Sequence, residues 1–296
     1  MIEKVEQEID RLIKEIDYDS VTQLFSTLVG GKRLRAKLVL KIASANEDAL
    51  LLAAIIELIH AASLLHDDVI DDAALRRGNA SVNATEGSKV AIMLGDILYS
   101  KAFTSLVSFD KEIASVVSSA VTALSIGEMQ DVNLAKNFND DEKIYLDMLY
   151  LKTASLIEAS ATAAALLAGK DAASYALYGK NLGLSFQIID DILDIVSDEK
   201  TLGKPAMNDF VEGKCTLPYI YLYHSLDDED KKRLVSLHGK TISSEDSVWI
   251  KTKMDEHKSI EKSFALAVKL SDEAKHAVSG DVELTAILDT MIQRSY

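Results

Sequence analysis

An all-α fold is predicted by three features of the sequence. Only two prolines and 13 glycines occur in 296 residues, so few positions would break a helix. The alternation of apolar and polar residues that is typical of a half-buried strand is hard to find. Apolar residues recur instead at the i, i+3, i+4, i+7 spacing of a buried helix face. One such series consists of Leu51, Ala54, Ile55, Leu58, Ala62 and Leu65.

The turns between the predicted helices are marked by breaks in that spacing. Breaks occur near Asn46-Glu47, Gly78-Asn79, 108–110, 136–141, Gly169, 197–213 and 239–244. The helix predicted over residues 153–168 is apolar and alanine-rich enough to be fully buried. No repeat of about 20 to 50 residues is visible, and the breaks are typical of turns rather than of interdomain linkers. We therefore expect a single domain over residues 1–296, in which the long irregular stretch 197–213 has a function.

The composition limits the partners that the protein can have. A formal net charge of −15 argues against a general binder of nucleic acid or of anionic membranes. Cys215 is the single cysteine and cannot form an intramolecular disulfide, and the opening MIEKVEQEID does not resemble a secretory signal. The longest apolar stretch, residues 49–65, falls short of the roughly 20 residues of a membrane span. We expect a cytoplasmic protein without integral membrane association.

Two copies of the pattern DDxxD, each preceded by an apolar pair, are the most informative motif. The first copy contains Asp67, Asp68 and Asp71, and residues four apart share one face of a helix. The second copy contains Asp190, Asp191 and Asp194. Carboxylates inside apolar helices are costly unless a cation compensates them. Such oxygen ligands suit Mg²⁺, which completes its coordination with water and substrate phosphate. An acidic surface stripe is the alternative, but two matched copies disfavour it.

Basic clusters stand out in so acidic a chain. They are Gly30-Gly31-Lys32-Arg33-Leu34-Arg35, then Arg76-Arg77-Gly78 after the first aspartate motif, and Lys200, Lys204 and Lys214 after the second. Each cluster alone could be a solvated helix end or loop. Together with carboxylates that bind Mg²⁺, they favour a polyanionic ligand, most simply a diphosphate.

These motifs resemble those of the trans-polyprenyl diphosphate synthases. The matching segments, in the family's order, are GGKRLR at 30–35, HAASLLHDDVIDDAALRRG at 60–78, Lys152-Thr153, FQIIDDILD at 186–194 and GKPAMNDFVEGKCTLP at 203–218. The resemblance implies the all-α isoprenoid synthase helical bundle around a deep central cavity, usually as a homodimer. It also implies a prenyltransferase that adds isopentenyl diphosphate to an allylic diphosphate primer.

The resemblance further implies a role for each matching residue. About three Mg²⁺ ions would be held by Asp67, Asp71 and Asp190, with Asp68, Asp191 and Asp194 in support. The allylic diphosphate would also be contacted by Arg76, Lys152, Lys204 and Lys214. Isopentenyl diphosphate would be bound by Lys32, Arg35, His60 and Arg77, and Thr153 and Gln187 would lie near the reacting carbons. The chemistry would need no protein nucleophile, because charge neutralisation on the diphosphate lets the allylic C–O bond ionise.

Product length is predicted from the residues that precede the first motif. Positions four and five before Asp67 are Ser63 and Ala62, and in the family bulky aromatic residues at these positions give short products. A tail passing these small residues, about 6 to 7.5 Å below the motif, would extend to about C40, within roughly C30 to C50. The expected use is the side chain of an isoprenoid quinone. Guesses for the tunnel floor are Ile59, Met93, Phe103 and Leu124.

Several alternatives stay open at this point. A farnesyl or geranylgeranyl diphosphate synthase would make a shorter product, and a terpene cyclase would share the fold without needing a second diphosphate site. The pairs Glu57-x-x-His60 and Glu273-x-x-His276 are typical of di-iron carboxylate bundles, although that reading leaves both DDxxD motifs unexplained. A regulatory subunit without activity would be expected to lack some of the six aspartates. One departure from the family is Ala36, which stands where a proline is usual.

Overall fold

The all-α prediction is confirmed by the computed structural model, which describes residues 1–28, 30–196 and 207–293. Within these residues the helices are α1 (Ile2–Lys14), α2 (Asp19–Thr27), α3 (Leu34–Ala43), α4 (Glu47–Ile70), α5 (Val82–Glu86), α6 (Ser88–Leu106), α7 (Lys111–Leu134), α8 (Glu142–Leu149), α9 (Ser155–Leu167), α10 (Ala172–Val196), α11 (Asn208–Val211), α12 (Leu217–Ser225), α13 (Asp228–Leu237), α14 (Ser244–His257), α15 (Ser259–Ala277) and α16 (Val282–Gln293). A π-helical turn, Tyr150–Ala154, joins α8 to α9.

Most of the predicted turns are confirmed. The gaps between α3 and α4, α6 and α7, α7 and α8, α9 and α10, and α13 and α14 all coincide with predicted breaks. Asn46 caps α4, because its side chain accepts a hydrogen bond of 2.8 Å from the backbone N–H of Ala49, as polar residues before a helix commonly do. Residues 197–206 lie outside the described part of the chain, and the remainder of the predicted irregular stretch contains the short helix α11.

The chain divides into two compact units, and the single domain over residues 1–296 stays a prediction. The first unit comprises Met1–Thr122 and Leu156–Ala176. In it, α4 packs against α1, α3 and α6, and its apolar residues are buried almost all round, from Leu52 to Ile59. Helix α9 is buried along most of its length, as its alanine-rich sequence predicts. This packing fixes α4, the helix whose last turn carries the first aspartate motif.

A small hairpin follows α4, and the sequence did not predict it as β structure. Strands β1 (Leu75–Arg76) and β2 (Asn79–Ala80) pair antiparallel, with Arg76 opposite Asn79. The two turn residues, Arg77 and Gly78, have φ values of +53° and +80°, which is the geometry of a tight hairpin turn of type I′. An arginine in this region of backbone space is uncommon, and such positions cluster at functional sites.

The second unit comprises Ala123–Ser155 and Leu177–Tyr296. Its core joins α8, α10, α12, α14 and α15 around large buried side chains that include Tyr145, Phe210 and Tyr219. The ring of Phe210 stacks on that of Tyr219, with centroids 4.2 Å apart. This core supports the last turns of α10, which carry the second aspartate motif.

The π-helical turn lies directly against α7. A methyl group added to Gly127 would come within 2.7 Å of the backbone carbon of Leu151 and of Cα of Lys152, so only glycine lets the two backbones approach this closely. Single π-helical turns inside helices are rare and often occur at functional sites. This one presents Lys152 and Thr153, which the resemblance places in the substrate site.

Helix α4 is relevant to the prediction that the protein has no integral membrane association. Within the described residues it is the one helix long and apolar enough to cross a membrane by length and composition, and 61% of its most apolar window is buried inside the protein. That degree of burial is typical of the core helix of a soluble protein. It is weak evidence for a membrane span.

Candidate active site

The first aspartate motif lies at the carboxyl end of α4. Asp67 is half-buried, and Asp71, the residue that ends the helix, is exposed. The backbone N–H of Asp71 donates a hydrogen bond of 2.8 Å to the carbonyl of Asp67, so the two carboxylates lie one turn apart, as the sequence predicts. The carboxyl end of a helix carries partial negative charge and attracts cations. The dipole and the carboxylates therefore favour the same kind of ligand.

The middle aspartate of this motif has a different environment. Asp68 is buried, and Arg76 of the hairpin donates its Nε–H to Oδ1 of Asp68 at 2.7 Å. A second nitrogen of the same guanidinium contacts the same carboxylate. Burying a carboxylate is tolerable when a cation pairs with it in this way. Asp68 thus holds Arg76 beside the motif.

The second motif lies in the last turns of α10, where two of its three aspartates are buried. Asp190 is exposed, whereas Asp191 and Asp194 are buried. Tyr145 donates its hydroxyl hydrogen bond to Asp191, and Gln187 donates Nε2–H to the other oxygen of Asp191 at 3.0 Å. Burial, and next the nearby charge of Asp209, raise the pKa of Asp191 well above the usual range of a carboxyl group. Local hydrogen bonds therefore hold the middle aspartate in the fold.

The donor set fits a hard divalent cation that also binds substrate phosphate. Asp67, Asp71 and Asp190 are the motif aspartates least enclosed by the protein, and carboxylate oxygens are the ligands that Mg²⁺ and Ca²⁺ prefer. Within the described residues no three ligand side chains converge as in a dedicated metal cage. One or two carboxylates are the usual protein contribution where phosphate and water complete the coordination of Mg²⁺.

A basic pocket lies in the first unit, next to the first motif. Its lining includes His60, Asp68, Arg76 and Arg77, so three predicted diphosphate-binding residues meet there. Gly31 of the GGKRLR segment leaves room for Arg77, because a methyl group at Gly31 would lie 2.6 Å from Nη2 of that side chain.

Positive charge is in excess around this pocket. Burial, and after it the charges of Arg35, Arg77, Arg33 and Arg76, hold the pKa of His60 well below its usual value. Burial also lowers the pKa of Arg35 and that of Arg77, and Nε of Arg35 has no hydrogen-bond partner among the described residues. Lys32 is exposed. Clustered guanidinium groups of this kind are typical of a site that binds an anion.

Glu57 organises the basic segment rather than an iron centre. This buried carboxylate accepts one hydrogen bond from Arg33 and one from the backbone N–H of Ala36, each 3.0 Å long. Arg33 also donates to Glu6 at 2.7 Å, so two carboxylates neutralise its charge. The N–H of Ala36 is a donor that proline would lack, which gives the departure from the family a structural use.

A second pocket lies in the second unit. Its lining includes five predicted site residues, namely Lys152, Thr153, Gln187, Asp191 and Lys214. Thr153 donates its hydroxyl hydrogen bond to Oε1 of Gln187 at 3.3 Å, and Gln187 in turn holds Asp191. The two residues predicted to lie near the reacting carbons are therefore linked to the second aspartate motif. Lys204, the remaining predicted contact, lies outside the described residues.

Two acidic residues of this site were missed by the sequence analysis. Nζ of Lys152 lies 2.9 Å from Glu128 and also contacts Asp131. Burial alone would lower the pKa of Lys152, but Asp131 and Glu128 outweigh burial and raise it, so the ammonium group stays charged. The run Gly127-Glu128-Met129-Gln130-Asp131, with acidic residues inside an apolar helix, was the available signal.

The residues predicted to control chain length are placed as follows. Ala62 and Ile59 are fully buried, Ser63 is half-buried and Leu124 is buried. Met93 and Phe103 are 54% and 37% exposed, respectively. The two small residues thus lie within the packed part of α4 that precedes the motif, while two of the four guesses for the tunnel floor face solvent in the single chain.

The arginines around His60 predict a pH-dependent stability. Because the folded state lowers the pKa of His60, the unfolded chain binds more protons below about pH 6.5, and stability falls as the pH drops through that value. We expect urea denaturation to show a smaller loss between about pH 7.5 and 5.5 for His60→Gln than for the wild type. His276→Gln, at an exposed position of α15, should keep the wild-type loss. Buffers without phosphate or sulfate are needed, and identical losses for His60→Gln and the wild type would contradict the account.

Comparison with known proteins identifies the family. The polyprenyl synthetase family profile matches residues 18–291. The chain is 37% identical over 251 residues to a short chain isoprenyl diphosphate synthase of Methanothermobacter thermautotrophicus, a match that covers 80% of this chain and 77% of that protein. The motif-based resemblance is therefore confirmed, and the di-iron alternative is left without support.

Solved structures give the same result for the fold. The octaprenyl pyrophosphate synthase of Helicobacter pylori superposes with a TM-score of 0.94 at 42% identity, covering 100% of this chain and 98% of that one. A polyprenyl synthase of Caulobacter crescentus, complexed with calcium and isoprenyl diphosphate, superposes with a TM-score of 0.89 at 29% identity, covering 100% and 95%. The chain therefore belongs to the polyprenyl synthetase family and is a prenyltransferase that makes trans-prenyl diphosphates.

Proposed function

We propose that this enzyme adds isopentenyl diphosphate units to an allylic diphosphate primer and makes an all-trans product of about C40. The observation that carries the length is the pair Ala62 and Ser63 on α4. Ala62 is fully buried, and the hydroxyl group of Ser63 is turned back onto its own helix, where it donates to the carbonyl of His60 at 2.9 Å. Neither side chain would obstruct a growing tail that passes below Asp67.

The similarity to an octaprenyl pyrophosphate synthase at 42% identity supports a long product. The similarity to a short chain isoprenyl diphosphate synthase at 37% identity supports the alternative of a farnesyl or geranylgeranyl product. The two small residues favour the long product, because a short one requires an obstacle close to the reacting end. We propose that the long chain serves as the side chain of an isoprenoid quinone.

We propose Mg²⁺ as the cation, with about three ions in each active site. Asp67, Asp71 and Asp190 would be the ligands, and the buried Asp68, Asp191 and Asp194 would support them. When bound, the cations would supply positive charge to the diphosphate oxygens and so make diphosphate a better leaving group. The calcium in the Caulobacter crescentus complex supports a divalent cation in this family.

The chain's own cations would act on the allylic diphosphate as well. Arg76, held by Asp68, and Lys152, held by Glu128 and Asp131, are fixed before substrate arrives, so little reorganisation is needed when negative charge develops. Lys214 would add a third contact and Lys204 a fourth. The allylic C–O bond then breaks, and its electron pair leaves with the diphosphate.

The second substrate would occupy the basic pocket of the first unit. Arg35, Arg77 and Lys32 would pair with the diphosphate of isopentenyl diphosphate, and a neutral His60 would donate one N–H to it. The double bond of this substrate attacks the allylic carbocation, and one proton is lost as the new double bond forms. The released diphosphate would accept that proton. Thr153 and Gln187 would hold the reacting carbons in place, and water must be excluded because it would quench the cation.

We also propose a homodimer and a cytoplasmic location. Helix α6 exposes three large apolar side chains, Ile92, Met93 and Phe103, and Val107 directly after the helix is exposed as well. Exposed apolar side chains on a single chain are typical of a subunit interface. The acidic composition supports a protein that stays away from nucleic acid and from anionic membrane surfaces.

The proposed role of Asp67 predicts a large loss of turnover on substitution. Asp67→Asn should lower kcat by about 100-fold or more with an unchanged circular dichroism spectrum, because the carboxylate acts on the leaving diphosphate. The assay is product formation from farnesyl diphosphate and isopentenyl diphosphate with Mg²⁺. Asp72→Asn is the matched control, because Asp72 is exposed and adjacent to the motif but outside it. Near wild-type turnover of Asp67→Asn would refute the assignment.

The proposed product length predicts that a bulky residue at position 62 shortens the product. Ala62→Tyr should shift the main product to one or more isoprene units below that of the wild type, because the ring would fill the space that the tail occupies. Chromatographic sizing of the prenyl chains measures the shift. Leu51→Tyr, at a half-buried position near the start of the same helix, should leave the length unchanged. An unaltered product from Ala62→Tyr would place the tail elsewhere.

A further inference from the structure

We propose that His238 is a positioning residue for Lys214 and thereby sets the affinity of the enzyme for the allylic diphosphate. His238 follows α13, in the C-terminal part of the chain to which sequence reasoning gave no role. The inference rests on the proposed function, because that function gives Lys214 its contact with the diphosphate.

Lys214 follows α11, a helix of only four residues that ends in a defined turn. The backbone N–H of Gly213 donates to the carbonyl of Phe210 at 3.1 Å, and that of Lys214 donates to the carbonyl of Asp209 at 2.7 Å. This pair of bonds is the Schellman motif, with Gly213 in its left-handed position at φ +87°. A methyl group at Gly213 would also lie 2.5 Å from the carbonyl oxygen of Ala135.

One side of this turn is anchored to the second aspartate motif. The N–H of Met207 donates to the carbonyl of Asp194 at 2.8 Å, and the N–H of Asp209 donates to Oδ2 of the same aspartate at 3.1 Å. These bonds fix the start of α11. They do not reach the turn at its end, where Lys214 lies and where the Schellman bonds come from α11 itself.

His238 supplies that second anchor. Its Nε2 lies 2.6 Å from the carbonyl oxygen of Gly213, and the next residue, Gly239, donates its N–H to the carbonyl of Phe210 at 3.1 Å. The imidazole ring meets the rings of Phe210 and Phe138 edge-on, with centroids 5.6 and 5.5 Å away. Because the carbonyl can only accept, Nε2 is the donor, and the two aromatic contacts fix the plane of the ring.

The bond from His238 acts on the peptide unit that begins Lys214. The carbonyl of Gly213 and the N–H of Lys214 belong to one planar peptide group, and each end of that group has its own partner, His238 and Asp209. With both ends bonded, one orientation of the peptide plane is favoured over the others that glycine would allow. The direction in which the side chain of Lys214 leaves the backbone is thereby restricted, and its Nζ lies 2.9 Å from Oε2 of Glu212, which precedes Gly213 in the same turn.

That direction matters because Lys214 lines the same pocket as Lys152 and Asp191. Without the bond from His238, the turn could sample other peptide orientations, and the ammonium group would spend less time where the diphosphate binds. The expected consequence is weaker binding of one substrate only, since the isopentenyl diphosphate site is built from other residues.

The test is a double-mutant cycle in the full-length enzyme, with farnesyl diphosphate as the primer. His238→Phe keeps an aromatic ring but removes the N–H, and His238→Gln restores an N–H donor. We expect His238→Phe to raise KM for farnesyl diphosphate about tenfold, the effect of losing one well-placed hydrogen bond, and to change KM for isopentenyl diphosphate less than about twofold. His238→Gln should recover most of the loss. On the Lys214→Ala background, His238→Phe should add less than about twofold.

His276→Phe serves as the control, because His276 is an exposed histidine whose ring contacts a carbonyl of its own helix. A full additional tenfold loss in the double mutant, an equal rise in KM for both substrates, or no effect of His238→Phe would overturn the inference. An unchanged KM in Lys214→Ala would remove the role of Lys214 itself, and the inference with it. Should His238→Phe fail to fold, as judged by thermal melting, His238→Ala takes its place in the same cycle.

Discussion

The structure depends on how three carboxylates are accommodated at the carboxyl end of a buried helix. Each DDxxD motif places like charges within one turn, next to the negative end of the helix dipole. In each motif the middle aspartate is buried and accepts hydrogen bonds that offset this repulsion. Arg76 donates to Asp68, and Tyr145 and Gln187 donate to Asp191. The first aspartate of each motif is left less enclosed, where a divalent cation and a diphosphate can neutralise it.

The opposite charge is accommodated by the same principle in the basic pocket. Glu57 and Glu6 neutralise Arg33, so this arginine acts as a structural residue of the loop. Burial, and after it the charges of neighbouring guanidinium groups, lower the pKa of His60, of Arg35 and of Arg77. An anionic substrate would relieve this repulsion, which links binding energy to the positioning of the reacting double bond.

The sequence predicted the elements whose determinants are local. Few breakers and helical spacing sufficed for the all-α fold, and the spacing within DDxxD sufficed to place carboxylates one turn apart. Contacts between segments that are distant in the sequence could not be predicted in this way. The π-helical turn under Lys152 depends on the close approach of Gly127, and the pairing of Lys152 with Glu128 and Asp131 depends on the same packing. The resemblance predicted most of the site residues, because the family's motifs consist of residues that come together in the folded protein. It gave no role to His238.

The first aspartate of each motif would bind the cation, whereas the middle aspartate stabilises the fold. Substitutions of the neighbours Asp190 and Asp191 test this difference most directly. Mg²⁺ is titrated calorimetrically into the protein saturated with inorganic diphosphate, and unfolding by urea is measured in parallel. Asp190→Asn should weaken Mg²⁺ binding by about tenfold or more with stability nearly unchanged. Asp191→Asn should lower the free energy of unfolding by about 1 to 3 kcal/mol and keep most of the Mg²⁺ affinity. The reverse pattern would contradict the account.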